Sequence, residues 1–153
     1  MKNSFIKNQI IMFIVMVIVG MLFNPMNILA YRFNDLYIST TLFYGGLLMA
    51  SNMIWSHEIV HYLSMGHFSI NMFLLGISLS LFCVFLLRNQ LFVTDRQWLL
   101  RMIPHHSTAL TTTTNLLKKN KKYRTNPNIY RLAKDIIYNQ EREILYMKTM
   151  LQK

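Results

Sequence analysis

Cysteine is all but missing from this chain. Cys83 stands alone in an apolar stretch, which excludes an intramolecular disulfide and a thiolate metal cage. Charge is missing from most of the first half: between Asn8 and Leu87 the only formally charged residues are Arg32, Asp35 and Glu58. Acidic residues are scarce everywhere, six against sixteen Lys and Arg, for a net charge of +10. From Arg88 onward thirteen Lys and Arg face four Asp and Glu, so nearly all of the excess lies in the tail. That asymmetry is the pattern of a membrane domain followed by a basic domain in water. The densest basic cluster is Lys118, Lys119, Lys121, Lys122 and Arg124, which reads as a solvated or lipid-facing loop. No recognition helix or aromatic RNA-binding motif accompanies it, so no specific nucleic-acid partner is expected.

Crossing about 30 Å of hydrocarbon takes about 20 mostly apolar residues in a helix. Three segments approach that description: about 9–31, with Asn24-Pro25 interrupting its last third, about 36–55, and about 70–87. Gly45 and Gly46 in the second allow close helix approach. The first lacks a small-residue cleavage site and is expected to be a retained anchor. The short Arg32–Asp35 link makes the first two segments an antiparallel hairpin. The expected fold is all-α, with three transmembrane helices in a membrane domain over 1–91 and a C-terminal helical hairpin over 92–153. The chain is thus expected to be a multi-pass integral membrane protein with the lipid bilayer as partner. Lys2 and Lys7 flank one side of the membrane, and Arg32, Arg88, Arg96 and Arg101 flank the other. That difference leans toward a cytoplasmic tail without fixing its side.

His57-Glu58-Ile59-Val60-His61 matches H-E-x-x-H, in which two His at i and i+4 bind zinc and the Glu acts as base. His67 follows His61 by six residues, where a third ligand falls in one class of zinc protease. Ser64 occupies the position where those enzymes carry glycine. Trp55 and Tyr62 look like interfacial anchors, so the segment also reads as a connector at the membrane surface.

In the tail, Thr94 or Asp95 can cap a helix whose positions Trp98, Leu99, Met102, Ile103, His106 and Leu110 follow a helical period. Pro104 lies inside it and is expected to bend it beside the His105-His106 pair. Lys118–Asn126 forms a turn, and Pro127 stands near the first position of a second helix. There Ile129, Leu132, Ile136, Gln140, Glu143, Met147 and Met150 recur at spacings of three and four. Met102 lies three and four residues before His105 and His106, so one face can offer a thioether and an imidazole, and Met147 and Met150 offer thioethers from the second helix. Such donors suit Cu(I) or Ag(I), with Glu143 able to orient an imidazole. Met at helical spacing is also ordinary core filling.

The residues Asp95, Trp98, Met102-Ile103-Pro104-His105-His106, Ala109, Leu132-Ala133, Ile136-Ile137, Gln140, Glu143-Ile144 and Met147 carry a resemblance. The stretch from about Asp95 onward resembles the domain-of-unknown-function 305 (DUF305) family of ferritin-like helical proteins, in its membrane-bound branch. That resemblance implies copper or silver binding, with Met102, His105, His106 and Met147 as the best ligand candidates and Gln140 and Glu143 in support; Met150 joins the supporting residues on its helical spacing alone. A single hairpin is half of a ferritin-like four-helix bundle, so a homodimer is expected to complete the core.

The expected function is therefore membrane-anchored binding of Cu(I) or Ag(I) for buffering, storage or delivery, without turnover. The alternatives are a membrane zinc-dependent hydrolase using His57, Glu58 and His61, with His67 as a further contact, or a non-catalytic scaffold with a degenerate hairpin.

Overall fold

The computed structural model describes residues 2–120 and 126–152, and every regular element among them is helical. In chain order these are α1 (Lys2–Leu22), α2 (Pro25–Ile28), a 3-10 turn (Phe33–Asp35), α3 (Thr40–Met65), α4 (Ile70–Asn89), α5 (Asp95–Asn120) and α6 (Pro127–Leu151). The chain divides into two compact units. One comprises the residues up to Phe23 with Thr40–Val93, and the other Asn24–Ser39 with the chain from Thr94 onward.

In the first unit α3 packs against both α1 and α4. Small residues make this possible, because apolar helices approach closely only where side chains are missing from the crossing. A Cβ on Gly46 would stand 2.7 Å from the carbonyl oxygen of Val17, and one on Gly76 would stand 2.7 Å from the backbone nitrogen of Trp55. Gly45, expected to share that role, has nothing within 4 Å of where its Cβ would be. Neighbouring residues on a helix point about 100° apart, so only one of the pair can face α1. Buried hydroxyls are satisfied within their own helices, Ser51 Oγ donating to the Leu47 carbonyl (2.8 Å) and Ser80 Oγ to that of Gly76 (2.9 Å). The Tyr44 hydroxyl donates to the Leu91 carbonyl (2.8 Å), joining the start of α3 to the chain beyond α4.

The expectation of three transmembrane helices does not hold. Among the described residues two stretches are long and apolar enough to cross a membrane, Lys7–Ile28 and Ile70–Asn89. The middle segment fails because α3 runs on through Met65 and carries Asn52, Ser56, His57, Glu58 and His61 along its length. These polar groups leave no stretch of bilayer length apolar enough. The segment 57–61, expected to be a connector, is thus the last part of a helix.

The second unit is a hairpin with a strap. Thr94 starts α5, its hydroxyl accepting the Gln97 N–H at 3.4 Å. Asn126 caps α6, its side chain accepting the Asn128 N–H (2.9 Å) with Pro127 just inside the helix. Helix α5 continues through Pro104, and the Thr108 hydroxyl donates to the Pro104 carbonyl (3.0 Å). Leu99, Ile103 and Leu110 from α5 form the core with Ile144 and Met147 from α6, and Tyr37, Met102, Ile137 and Leu151 pack around them. The turn residues Lys121, Lys122 and Arg124 lie outside the described residues.

The strap is residues 24–39, the chain between α1 and α3; only Arg32–Asp35 of it was expected to be a link, with 24–31 assigned to the first apolar segment and 36–39 to the second. Asn24 opens it by accepting the N–H groups of Met26 (3.0 Å) and Asn27 (3.1 Å), which ends α1 and starts α2. Its Met26 carbonyl accepts the Thr108 hydroxyl (2.9 Å), and its Tyr31 N–H donates to Ser107 Oγ (2.8 Å). Asp35 is 1% exposed, with Oδ2 accepting the Ser107 hydroxyl at 2.6 Å and Oδ1 accepting Lys148 Nζ at 2.6 Å. Both carboxylate oxygens are therefore occupied, as burial of a charge requires.

Two outcomes follow from this packing. Gly46→Ala is expected to lower the unfolding temperature of the detergent-solubilised chain, whereas Gly45→Ala leaves it unchanged or raised, since alanine is worth up to about 1 kcal/mol over glycine in an open helix position. Asp35→Ala leaves Lys148 and Ser107 without their acceptor and is expected to cost about 3 kcal/mol. Hydrogen exchange should show it as lost amide protection across α5 and α6.

Candidate functional site

A cavity of about 450 Å³ opens beside the core of the hairpin, lined by Asp95, Trp98, Leu99, His106, Glu143, Tyr146, Met147 and Met150. Of its lining residues Trp98 and Tyr146 are about half or more exposed. The His106 side chain is 13% exposed, and its Nδ1 lies 3.1 Å from Glu143 Oε2. The contact is electrostatic rather than a well-aligned hydrogen bond, because the buried Nδ1 has no partner in hydrogen-bonding geometry. Burial pushes the His106 imidazole below its ordinary pKa; the Glu143 charge opposes that shift and neighbouring His105 adds to it. At neutral pH the ring is therefore uncharged and carries a lone pair, the form in which imidazole binds metals.

A second group of donors stands at the turn between α3 and α4. Gly66 ends α3 with φ at +69°, and the chain returns through His67 to Ser69. Glu58 is 4% exposed, and its Oε2 accepts the Ser69 N–H (3.0 Å) at the start of α4, where the helix dipole favours a negative charge. His61 Nδ1 lies 3.0 Å from the His67 carbonyl oxygen. His57, Glu58, His61, His67 and Ser69 line a cavity of about 250 Å³. Among the described residues no three His, Cys, Asp or Glu side chains already converge in positions to hold a metal ion.

Residues 87–151 match the family described as Domain of unknown function (DUF305). The chain is also 33% identical, over 153 residues, to an uncharacterized protein of Acanthamoeba polyphaga mimivirus, covering 99% of this chain and 93% of that protein. Residues 87–151 form a DUF305 domain. No solved structure matches it.

The DUF305 hairpin does not treat its expected ligands alike. His106, Glu143, Met147 and Met150 line one cavity. Met102 instead packs around the hydrophobic core, and His105 is exposed, its ring centre 5.9 Å from that of His106. Gln140 is half-buried, outside the cavity lining. Met147 belongs to the core as well as to the cavity wall, so both readings of that methionine apply. Asp95 and Tyr146 are lining residues that the sequence did not single out as site residues. Tyr146 was within reach of the pattern, since it lies three residues after Glu143 and four before Met150.

The lowered His106 pKa gives the hairpin a pH dependence. The folded form resists protonation while the unfolded chain takes up a proton near pH 6.5 in the ordinary way. The folded state therefore has its full stability above about pH 6.5 and loses some of it as pH falls toward the lowered pKa. Thermal unfolding between about pH 7 and pH 5 should show stability falling with acidity, with a shallower dependence in His106→Gln.

Proposed function

We propose that this DUF305 protein is a membrane-anchored binder of a soft monovalent cation, Cu(I) or Ag(I), which it buffers, stores or delivers without turnover. The observation that carries the reading is the hairpin cavity: an imidazole with a buried, unaligned nitrogen shares it with the thioether-bearing Met147 and Met150. Neutral nitrogen and sulfur donors in an apolar setting favour a soft, weakly hydrated ion over a hard divalent one. Glu143, close to Nδ1, serves to orient the ring. In this reading His106, Met147 and Met150 are the ligands and His105 stands outside as an exposed donor. A homodimer is part of the proposal, because one hairpin offers few donors and a second copy can bring its own exposed His105.

Membrane anchoring rests on Lys7–Ile28 and Ile70–Asn89. Only 11% and 22% of their most apolar stretches are buried, whereas the core helix of a soluble protein would be mostly covered. Ile10, Ile14, Ile18 and Leu22 on the first, and Leu74, Leu81, Phe82 and Phe85 on the second, are each about half exposed or more. Side chains of that kind suit contact with lipid.

Cu(I) competition titration of the purified full chain against a chromogenic chelator tests the reading. His106→Ala and the near-isosteric Met147→Leu should each weaken binding about tenfold or more, roughly 1.4 kcal/mol. Met102→Leu should leave it unchanged. Failure of the wild-type chain to compete for Cu(I), or wild-type affinity in His106→Ala, overturns the assignment.

A further inference from the structure

The H-E-x-x-H segment has no part in the hairpin site, yet its side chains are arranged. His57 and His61 lie one helical turn apart on α3, and their rings stack with centres 6.0 Å apart and an interplanar angle of 24°. The His67 ring, brought back by the turn at Gly66, meets His61 edge-on at 5.6 Å. Two imidazoles bound to one tetrahedral ion through bonds of about 2.0–2.1 Å have ring centres roughly 5–6 Å apart. The His57–His61 and His61–His67 pairs thus stand near that separation, although the nitrogens do not yet converge.

The hydrogen bonding is suited to the same end. A carbonyl oxygen only accepts, so the His61 Nδ1 facing the His67 carbonyl carries the proton, and Nε2 keeps its lone pair. Metal-binding imidazoles are commonly oriented in this way, one nitrogen donating to a carbonyl and the other free for the ion. His57 Nδ1 is buried without a hydrogen-bonding partner, 4.0 Å from Glu58 Oε1. A buried nitrogen left unpaired costs free energy that a bound cation recovers. The carboxylate beneath is held by the Ser69 N–H through Oε2 alone.

We propose that His57, His61 and His67, with Glu58 beneath them, form a binding site for a divalent transition-metal ion of the zinc class. The donor set selects the ion: imidazoles and a carboxylate, with no cysteine among the lining residues, suit a borderline divalent cation rather than Cu(I) or Ag(I). The nitrogens are not yet convergent, and closure comes from rotation of the exposed His67 and half-exposed His57 rings toward the fixed His61. Occupancy would link the last turns of α3 to the start of α4 and brace the turn between them. The site is a binding site: Glu58 holds the start of α4, and no hydrolytic step is assigned to it.

The test uses the untagged full chain in detergent, equilibrated with zinc chloride alone, passed through a desalting column and measured for zinc by elemental analysis. One zinc per chain is expected in the wild type and in His106→Ala, which separates this site from the hairpin cavity. His61→Ala with His67→Ala should lose it. The exposed single change His67→Ala, which leaves the α3 helix intact, should weaken retention at least tenfold. Zinc should also raise the unfolding temperature of the wild type but not of the double variant. Zinc-free wild-type protein, or unchanged zinc content in both His67→Ala and the double variant, overturns the proposal.

Discussion

The buried carboxylate of Asp35 sets the geometry of the hairpin. It reaches α5 through Ser107 and α6 through Lys148, so one side chain of the strap holds both helices. These contacts fix more than distance. Ser107 directly follows His106, and Lys148 directly follows Met147. Adjacent residues on a helix are rotated by about 100°, so pinning Ser107 and Lys148 fixes the directions in which His106 and Met147 point. The Tyr31 N–H on Ser107 Oγ and the Met26 carbonyl on Thr108 add two further restraints on the same turn of α5. A strap that looks like a loop between two apolar helices thus orients the side chains lining the cavity.

Much of the architecture was legible because it is encoded locally. Asn126 before Pro127 marks a helix start by chemistry confined to a few residues, and Thr94 does the same for α5. The extent of α4 follows from an apolar run bounded by polar residues. The strap was hidden for the opposite reason. Asp35 in a short polar stretch reads as an exposed turn residue, and what buries it lies 72 and 113 residues further along the chain. The apolar middle segment was misleading because the run from Leu42 to Ala50 is strongly hydrophobic, while the polar positions that follow belong to the same helix.

Paired residues in the sequence posed a different difficulty. Gly45-Gly46 and His105-His106 each offer two chemically identical neighbours, and periodicity constrains only which of them shares a face with other apolar residues. In both pairs the second residue lies on the inner face: Gly46 against α1, and His106 against the cavity. For the histidines the pattern held the answer. His106 continues the spacing of Leu99, Met102, Ile103 and Leu110, whereas His105 falls off it. Donor type marks a residue as able to bind a metal; its angular position decides whether it faces the place where an ion could sit.

The two donor groups differ in how far folding has prepared them. Met147 is packed among core side chains and His106 is mostly buried, so the price of ordering them is met when the hairpin folds. At the α3–α4 turn only Glu58 is buried, while His67 is exposed and must still be ordered. On the proposed assignments, a cation entering the hairpin cavity meets donors already held by the core and by the Asp35 strap. A cation at the turn must supply the energy that brings the rings together, which makes that site responsive to metal concentration. Under these proposals one group of donors would be largely ordered by folding, with Met150 still exposed, and the other would be ordered by the ion. They differ in sulfur: the hairpin cavity is lined by two thioethers, whereas the lining of the turn has none.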